Sequence, residues 1–222
     1  MPVPKGSADG VEFFSYNAGP VHVVTLASFY AGGFGAGSPM TVWLDADLTA
    51  VNRSFTPWVV VVLHAPWYNS NTAHTNDGQT MRRAYEATFI QHGVNAVFSG
   101  HVHAYERSHP VDNLAVVPAG QGIIHVTVGD GGAGLYKSWL AEPAWSAYRS
   151  ATFGHAEVNF MNKTHGLLEV GGASAVCAVV DARPARGGWC KRGGGSRSGR
   201  VRDDIPSSSC CCSGTATTRT RP

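Results

Sequence analysis

Three histidines stand where their chemistry would add up. His64 closes the apolar run Val59-Val60-Val61-Val62-Leu63, and His101 and His103 follow Val97-Phe98-Ser99-Gly100. A neutral imidazole is a good ligand for Zn, Fe, Mn and similar ions. His101 and His103 are two residues apart and share a face in extended chain. Gly100 just before them allows the backbone to turn, so that both rings reach a metal pair. Three imidazoles can hold one zinc with an open position. Two ions about 3.5–4 Å apart would need bridging carboxylates as well. Asp and Glu are scarce at the ends of strand-like runs, and Asp130 is the single candidate. Its setting, Gly129-Asp130-Gly131-Gly132, favours a turn aspartate instead.

These histidines must be positioned by the unit from Trp58 to Arg107. Between the two apolar runs, Asp77 to His92 has Met81, Ala84, Tyr85, Thr88 and Phe89 at helical spacing. Strand, loop, helix, strand is a βαβ unit, and its right-handed crossover makes the strands parallel. Both carboxyl ends then lie on one sheet edge, where open α/β sheets form their ligand sites.

The fold class is therefore α/β. Upstream, Val11–Tyr16 and Val21–Leu26 flank the turn Asn17–Pro20 as a hairpin, with His22 a satisfied strand histidine. The Gly-rich stretch Ala31–Pro39 lacks the spacing and Lys of a phosphate-cradling loop. Met40–Val51 reads as a helix with Trp43, Leu44, Leu48 and Val51 inward, and Asp45 and Asp47 on a solvated face. Downstream come a strand over Ile123–Val128, irregular chain over Trp139–Tyr148, and a hairpin from Phe153–Phe160 and Thr164–Glu169.

Composition divides the chain in two. Residues 1–170 carry 8 basic and 12 acidic side chains, a balance of −4, and no cysteine. Residues 171–222 carry 9 and 3, a balance of +6, and all five cysteines. The expected organisation is one domain over 1–170 and a disordered Gly/Arg/Ser/Cys tail over 171–222. The tail has one aromatic, Trp189, which argues against a nucleic-acid partner. Cys210-Cys211-Cys212 lacks the paired spacing of a zinc site. No apolar run approaches the ~20 residues that span a bilayer. The amino terminus has no apolar core of a signal peptide. Asn52-Arg53-Ser54 and Asn162-Lys163-Thr164 are glycosylation sequons.

The segments His64-Ala65-Pro66-Trp67-Tyr68-Asn69-Ser70 and Gly100-His101-Val102-His103-Ala104-Tyr105-Glu106-Arg107 strongly resemble those of plant-type purple acid phosphatases, which are metallophosphoesterases. Gly37-Ser38-Pro39, Val128-Gly129-Asp130-Gly131-Gly132 and Phe153-Gly154-His155 extend the likeness over residues 11–169. The resemblance implies an αββα sandwich, here incomplete, and hydrolysis of small phosphate monoesters by a metal-bound hydroxide at a binuclear centre. That centre would hold Fe(III) with Zn, Mn or Fe(II). His64 and His101 would bind the divalent ion and His103 the ferric ion. His74 would face the substrate, beside Ala73 where the family has a second histidine. Glu106 and Arg107 would support the ligands from behind.

The motifs of the family's amino-terminal half are not among these residues: Gly-Asp-Xaa-Gly, Gly-Asp-Xaa-Xaa-Tyr and Gly-Asn-His-Glu. Three of seven family ligands remain. The expectation is thus the carboxy-terminal portion of a catalytic domain, truncated and of doubtful activity alone. The rival readings are a phosphodiesterase or protein phosphatase of the same superfamily and a non-catalytic metal-binding fragment. Family members are secreted, vacuolar or wall-associated, and no membrane partner is implied.

Overall fold

In the computed structural model, residues 5–7, 10–172 and 176–181 are described. In chain order the elements are β1 (Lys5–Ser7), β2 (Gly10–Ala18), β3 (Val21–Thr25), α1 (Pro39–Ala50), β4 (Trp58–Val62), α2 (Gln79–His92) and β5 (Ala96–Ser99). Then follow β6 (Tyr105–Ser108), β7 (Val111–Asp112), β8 (Ala115–Val116), β9 (Ile124–Val128), β10 (Ser146–Ser150), β11 (Gly154–Phe160), β12 (His165–Gly172) and β13 (Val176–Asp181).

Eight strands form one mixed sheet in the order β1-β2-β3-β4-β5-β9-β6-β10. Its centre, β3, β4, β5 and β9, is parallel. Parallel strands are covered on both faces, so β4 reads as unbroken valine behind Trp58 rather than alternating. Val59, Val61 and Val97 face one side, where Leu44 and Leu48 of α1 and Met81, Tyr85 and Phe89 of α2 cover them. Val21, Trp58, Val60, Ile124 and Val126 face the other side. There Leu168 and Val170 of the three-stranded sheet β11-β12-β13 close the second core. The Trp58 indole clamps the two sheets. Its ring lies 5.0 Å from that of Phe160, and its N–H donates to the Asn162 carbonyl at 2.9 Å. Among the described residues the layers are thus helices, sheet and sheet, the α/β arrangement expected.

Several local readings change. The inward face of α2 is Met81, Arg82, Tyr85, Glu86 and Phe89, while Ala84 is exposed. Arg82 and Glu86 are a buried ion pair, and Glu86 also accepts from the Tyr68 hydroxyl at 2.5 Å. A charged pair can occupy an inward face once each member has a partner. Asp47 is not simply solvated. It accepts from Ser15 Oγ at 2.6 Å and lies 2.9 Å from Nε2 of His22, whose other nitrogen is 2.7 Å from Asn17 Oδ1. The stretch taken as irregular gives way to β10, which pairs with β6. Beyond Gly171, β12 continues and β13 pairs with it from Val176↔Val170 to Asp181↔His165. The run Val176-Cys177-Ala178-Val179-Val180 supplies strand-forming residues inside a stretch whose average composition is that of a tail. The remainder of the expected tail, residues 182–222, lies outside the described residues.

Gly129 marks a point of backbone contact. A Cβ there would stand 1.9 Å from the Val102 carbonyl oxygen. Gly129→Ala should cost about 1–3 kcal/mol through displacement of the turn carrying His101 and His103. Urea unfolding measures it, and an unchanged midpoint would contradict the contact.

Burial pushes the His125 imidazole down to about 3, with Arg82 adding to the effect. Unfolded, the ring protonates near its ordinary value of 6.5. The unfolded state therefore binds more protons between these values, and stability falls as pH drops through that window. At pH about 5 the loss should be about 2 kcal/mol relative to neutral pH. Comparing urea unfolding of wild type with His125→Gln at both pH values isolates this slope, which should be absent from the variant.

Candidate metal centre

The ends of β4 and β5 are held level by backbone. Beyond the strands, Leu63 N–H donates to the Phe98 carbonyl at 2.9 Å and Gly100 N–H to the His64 carbonyl at 3.1 Å. Ser28, after β3, accepts from the N–H groups of both His64 and Ala65 at 2.9 Å. One hydroxyl in the turn that follows the neighbouring parallel strand thus fixes the His64 backbone.

After Gly100 the chain curls tightly. Val102 N–H donates to Gly100 O at 2.6 Å, and Ala104 N–H to Val102 O at 2.7 Å. The left-handed residue is His101 itself, with φ of 62°, and not Gly100. Gly100 still belongs to the ladder, so the reversal falls one residue later. His74 is a second left-handed histidine, with φ of 55°. Such a backbone costs on the order of 1–3 kcal/mol at a non-glycine residue. Gly78 anchors the loop that follows. A Cβ on it would meet the Pro66 carbonyl oxygen at 2.2 Å, so the start of α2 presses directly on the chain after His64.

These constraints bring Asp77 between two imidazoles. Its Oδ2 lies 2.9 Å from His74 Nδ1 and 2.9 Å from His101 Nε2. The three ligand atoms lie within 4.8 Å of one another. The His64 and His101 rings are 4.6 Å apart, and the exposed Phe29 ring lies 5.6 Å from His101. The bonds from His101 and His74 hold the Asp77 carboxyl below the usual range. His64 is pushed down by burial first, then by His101 and His74.

His103 keeps different company. Its Nδ1 lies 2.8 Å from the Gly134 carbonyl, and its ring stacks on Tyr136 at 4.5 Å. A carbonyl can only accept, so Nδ1 carries the proton and Nε2 keeps the lone pair. Asp130 is buried and does not join the histidines. Gly154 N–H donates to its backbone carbonyl, and burial raises its carboxyl above the usual range.

Glu106 ties the parts together. Its carboxylate accepts from Ser70 N–H at 2.7 Å, Ser70 Oγ at 2.5 Å and Ser146 Oγ at 2.8 Å. It thereby fastens the loop after His64 to the strand after His103. Arg107 instead faces the buried Tyr105 hydroxyl. Asn52 and Asn162 are both exposed. Each carboxamide oxygen accepts from the backbone N–H two residues on. Asp77 is the residue that sequence reasoning missed. Its signal was the spacing His74-Thr75-Asn76-Asp77, which was absorbed into the expected start of a helix.

Glu106→Ala would leave three buried donors without their acceptor. The expected loss is about 3 kcal/mol or more by urea unfolding. A loss below about 1 kcal/mol would mean that the carboxylate does not hold the loop.

Two family descriptions match. Calcineurin-like phosphoesterase covers residues 7–105, and iron/zinc purple acid phosphatase-like protein C covers residues 122–181. Purple acid phosphatase 18 of Arabidopsis thaliana is 40% identical over 170 residues, covering 75% of this chain and 38% of the relative. Purple acid phosphatase of Glycine max is 41% identical over 177 residues, covering 74% and 38%. Phosphoenolpyruvate phosphatase of Allium cepa is 37% identical over 169 residues, covering 71% and 35%. The fold matches that of purple acid phosphatase PPD1 from yellow lupin seeds, with TM-score 0.70 at 21% identity, over 77% of this chain and 33% of that one. The chain spans less than two fifths of the length of these relatives. With both descriptions falling in sequence order along one continuous fold, the chain belongs to the purple acid phosphatases of the calcineurin-like phosphoesterases.

Proposed function

We propose that this chain supplies the histidine side of an acid phosphatase centre that hydrolyses phosphate monoesters. The observation that supports it is the meeting of His64, His74 and His101 at the carboxyl edge of β4 and β5. In this reading His64 and His101 hold a divalent ion, Zn, Mn or Fe(II), and His103 holds Fe(III). Imidazole donors suit these ions. When bound, such a pair would supply a Lewis acid for activating water and offsetting charge on the phosphoryl oxygens.

The chain's own groups have distinct tasks. His64, lowered by burial, stays neutral further into acid than an ordinary imidazole and so keeps its lone pair. His103 offers Nε2 because Gly134 takes the Nδ1 proton. His74 donates to a phosphoryl oxygen or protonates the leaving alcohol, with Asp77 orienting its ring. Glu106 positions the loop, and Arg107 packs behind it at Tyr105. Asn52 and Asn162 are the glycosylation sites of a secreted, vacuolar or wall-associated protein. No helix among the described residues is long and apolar enough to cross a membrane.

One observation favours a non-catalytic metal-binding role as the second reading. Among the described residues, the three-donor group that assembles contains one carboxylate and no bridging pair. The chain loaded with iron and zinc at mildly acidic pH should hydrolyse a phosphate monoester faster than a diester. His101→Ala should reduce turnover at least about a hundredfold. Turnover of the diester alone would shift the assignment to a phosphodiesterase, and bound metal without turnover would leave the non-catalytic reading.

A further inference from the structure

The Phe29 ring is 62% exposed, yet it stands against the histidines at the sheet edge, 6.1 Å from the His64 ring and 5.6 Å from that of His101. A single exposed apolar side chain is ordinary on a protein surface. This one is set apart by its neighbours and by how firmly its backbone is held. We propose that Phe29 is a specificity-determining residue, which packs against the ring of a phenol leaving group and so selects aryl phosphate monoesters over alkyl ones. The inference rests on the phosphatase reading of that edge and adds the substrate class.

Both chain neighbours of Phe29 are anchored. Ser28 is buried, and its hydroxyl accepts from the N–H groups of His64 and Ala65, each at 2.9 Å. Tyr30 packs against the helix-side core, its ring 5.5 Å from that of Phe13 and nearly perpendicular to it. Its carbonyl accepts from the Gly33 N–H at 3.0 Å. The turn between them cannot shift without disturbing the His64 backbone or the core. The Phe29 ring is therefore presented from a fixed point, and docking a ligand on it costs little ordering.

A second ring near the histidines is already engaged. Tyr136 lies flat on His103, with 5° between the planes and the centroids 4.5 Å apart. One of its faces is covered. Phe29 meets His64 and His101 at 63° and 66° and stays largely uncovered. In an aryl phosphate a single ester oxygen separates phosphorus from the aromatic ring. With the phosphoryl group held at the imidazoles, that ring comes within the roughly 4.5–7 Å at which aromatic pairs interact. Such pairs gain beyond the area they bury, by roughly two- to tenfold in affinity. An alkyl leaving group has no ring to offer.

The test is isothermal titration calorimetry of the full chain loaded with iron and zinc. The probes are benzylphosphonate and ethylphosphonate, in which a methylene replaces the ester oxygen so that neither is hydrolysed. Phe29→Ala should weaken benzylphosphonate binding about fivefold and ethylphosphonate binding less than about twofold. Phe29→Tyr should keep the wild-type preference. Phe29→Leu, which retains apolar bulk without a ring, should lose it. Urea midpoints within error of wild type would tie the loss to the ring and not to unfolding. If Phe29→Ala weakens both probes equally, or neither, the inference is overturned while the phosphatase reading stands. A preference kept by Phe29→Leu overturns it equally, because bulk alone then suffices. If the loaded wild-type chain binds neither phosphonate, the phosphatase reading fails and the inference falls with it.

Discussion

Everything at the centre depends on the parallel register of β4 against β5. Val60↔Ala96, Val61↔Val97 and Val62↔Phe98 are paired, and the ladder runs on through Leu63 and Gly100. Side chains alternate faces along a strand, so a slip of one residue would send His64 or His101 to the opposite face. The valine pattern prevents such a slip because both faces of β4 are buried from Trp58 to Val61, one under the helices and one under the second sheet. The two cores thus do more than stabilise the layers. They set the level at which two histidines leave the sheet.

Above that edge, control passes from strands to polar and backbone contacts. Ser28 fixes His64 from the turn after β3, Glu106 ties the following loop to β6, and close approaches at Gly78 and Gly129 seat the two loops. None of these contacts is strong alone. The Ser28 and Glu106 contacts work because they satisfy groups that would otherwise be buried without a partner.

The βαβ unit was legible in the sequence because its signals are local. A valine run, a helical period and a glycine before His101 each sit within a few residues. The site was legible only in part, because its remaining partners are set by three-dimensional approach. Asp77 looks like a helix-start residue until the turn at His101 brings a second imidazole to it. Glu106 could be placed behind the site from its motif, but its partners Ser70 and Ser146 lie 36 and 40 residues away. β13 was hidden for a different reason. Its three valines are outvoted by glycine, arginine and serine when the stretch is averaged.

The left-handed backbone at His74 and His101 separates shape from chemistry at both positions. Asparagine and glycine adopt that conformation more readily than histidine does. A replacement by either would relax the loop while removing the imidazole. At these two places the chain gives up conformational ease to keep a nitrogen donor, so a gain in stability on substitution would report function surrendered. A β-branched replacement would do the reverse, disturbing the loop itself and removing the donor together.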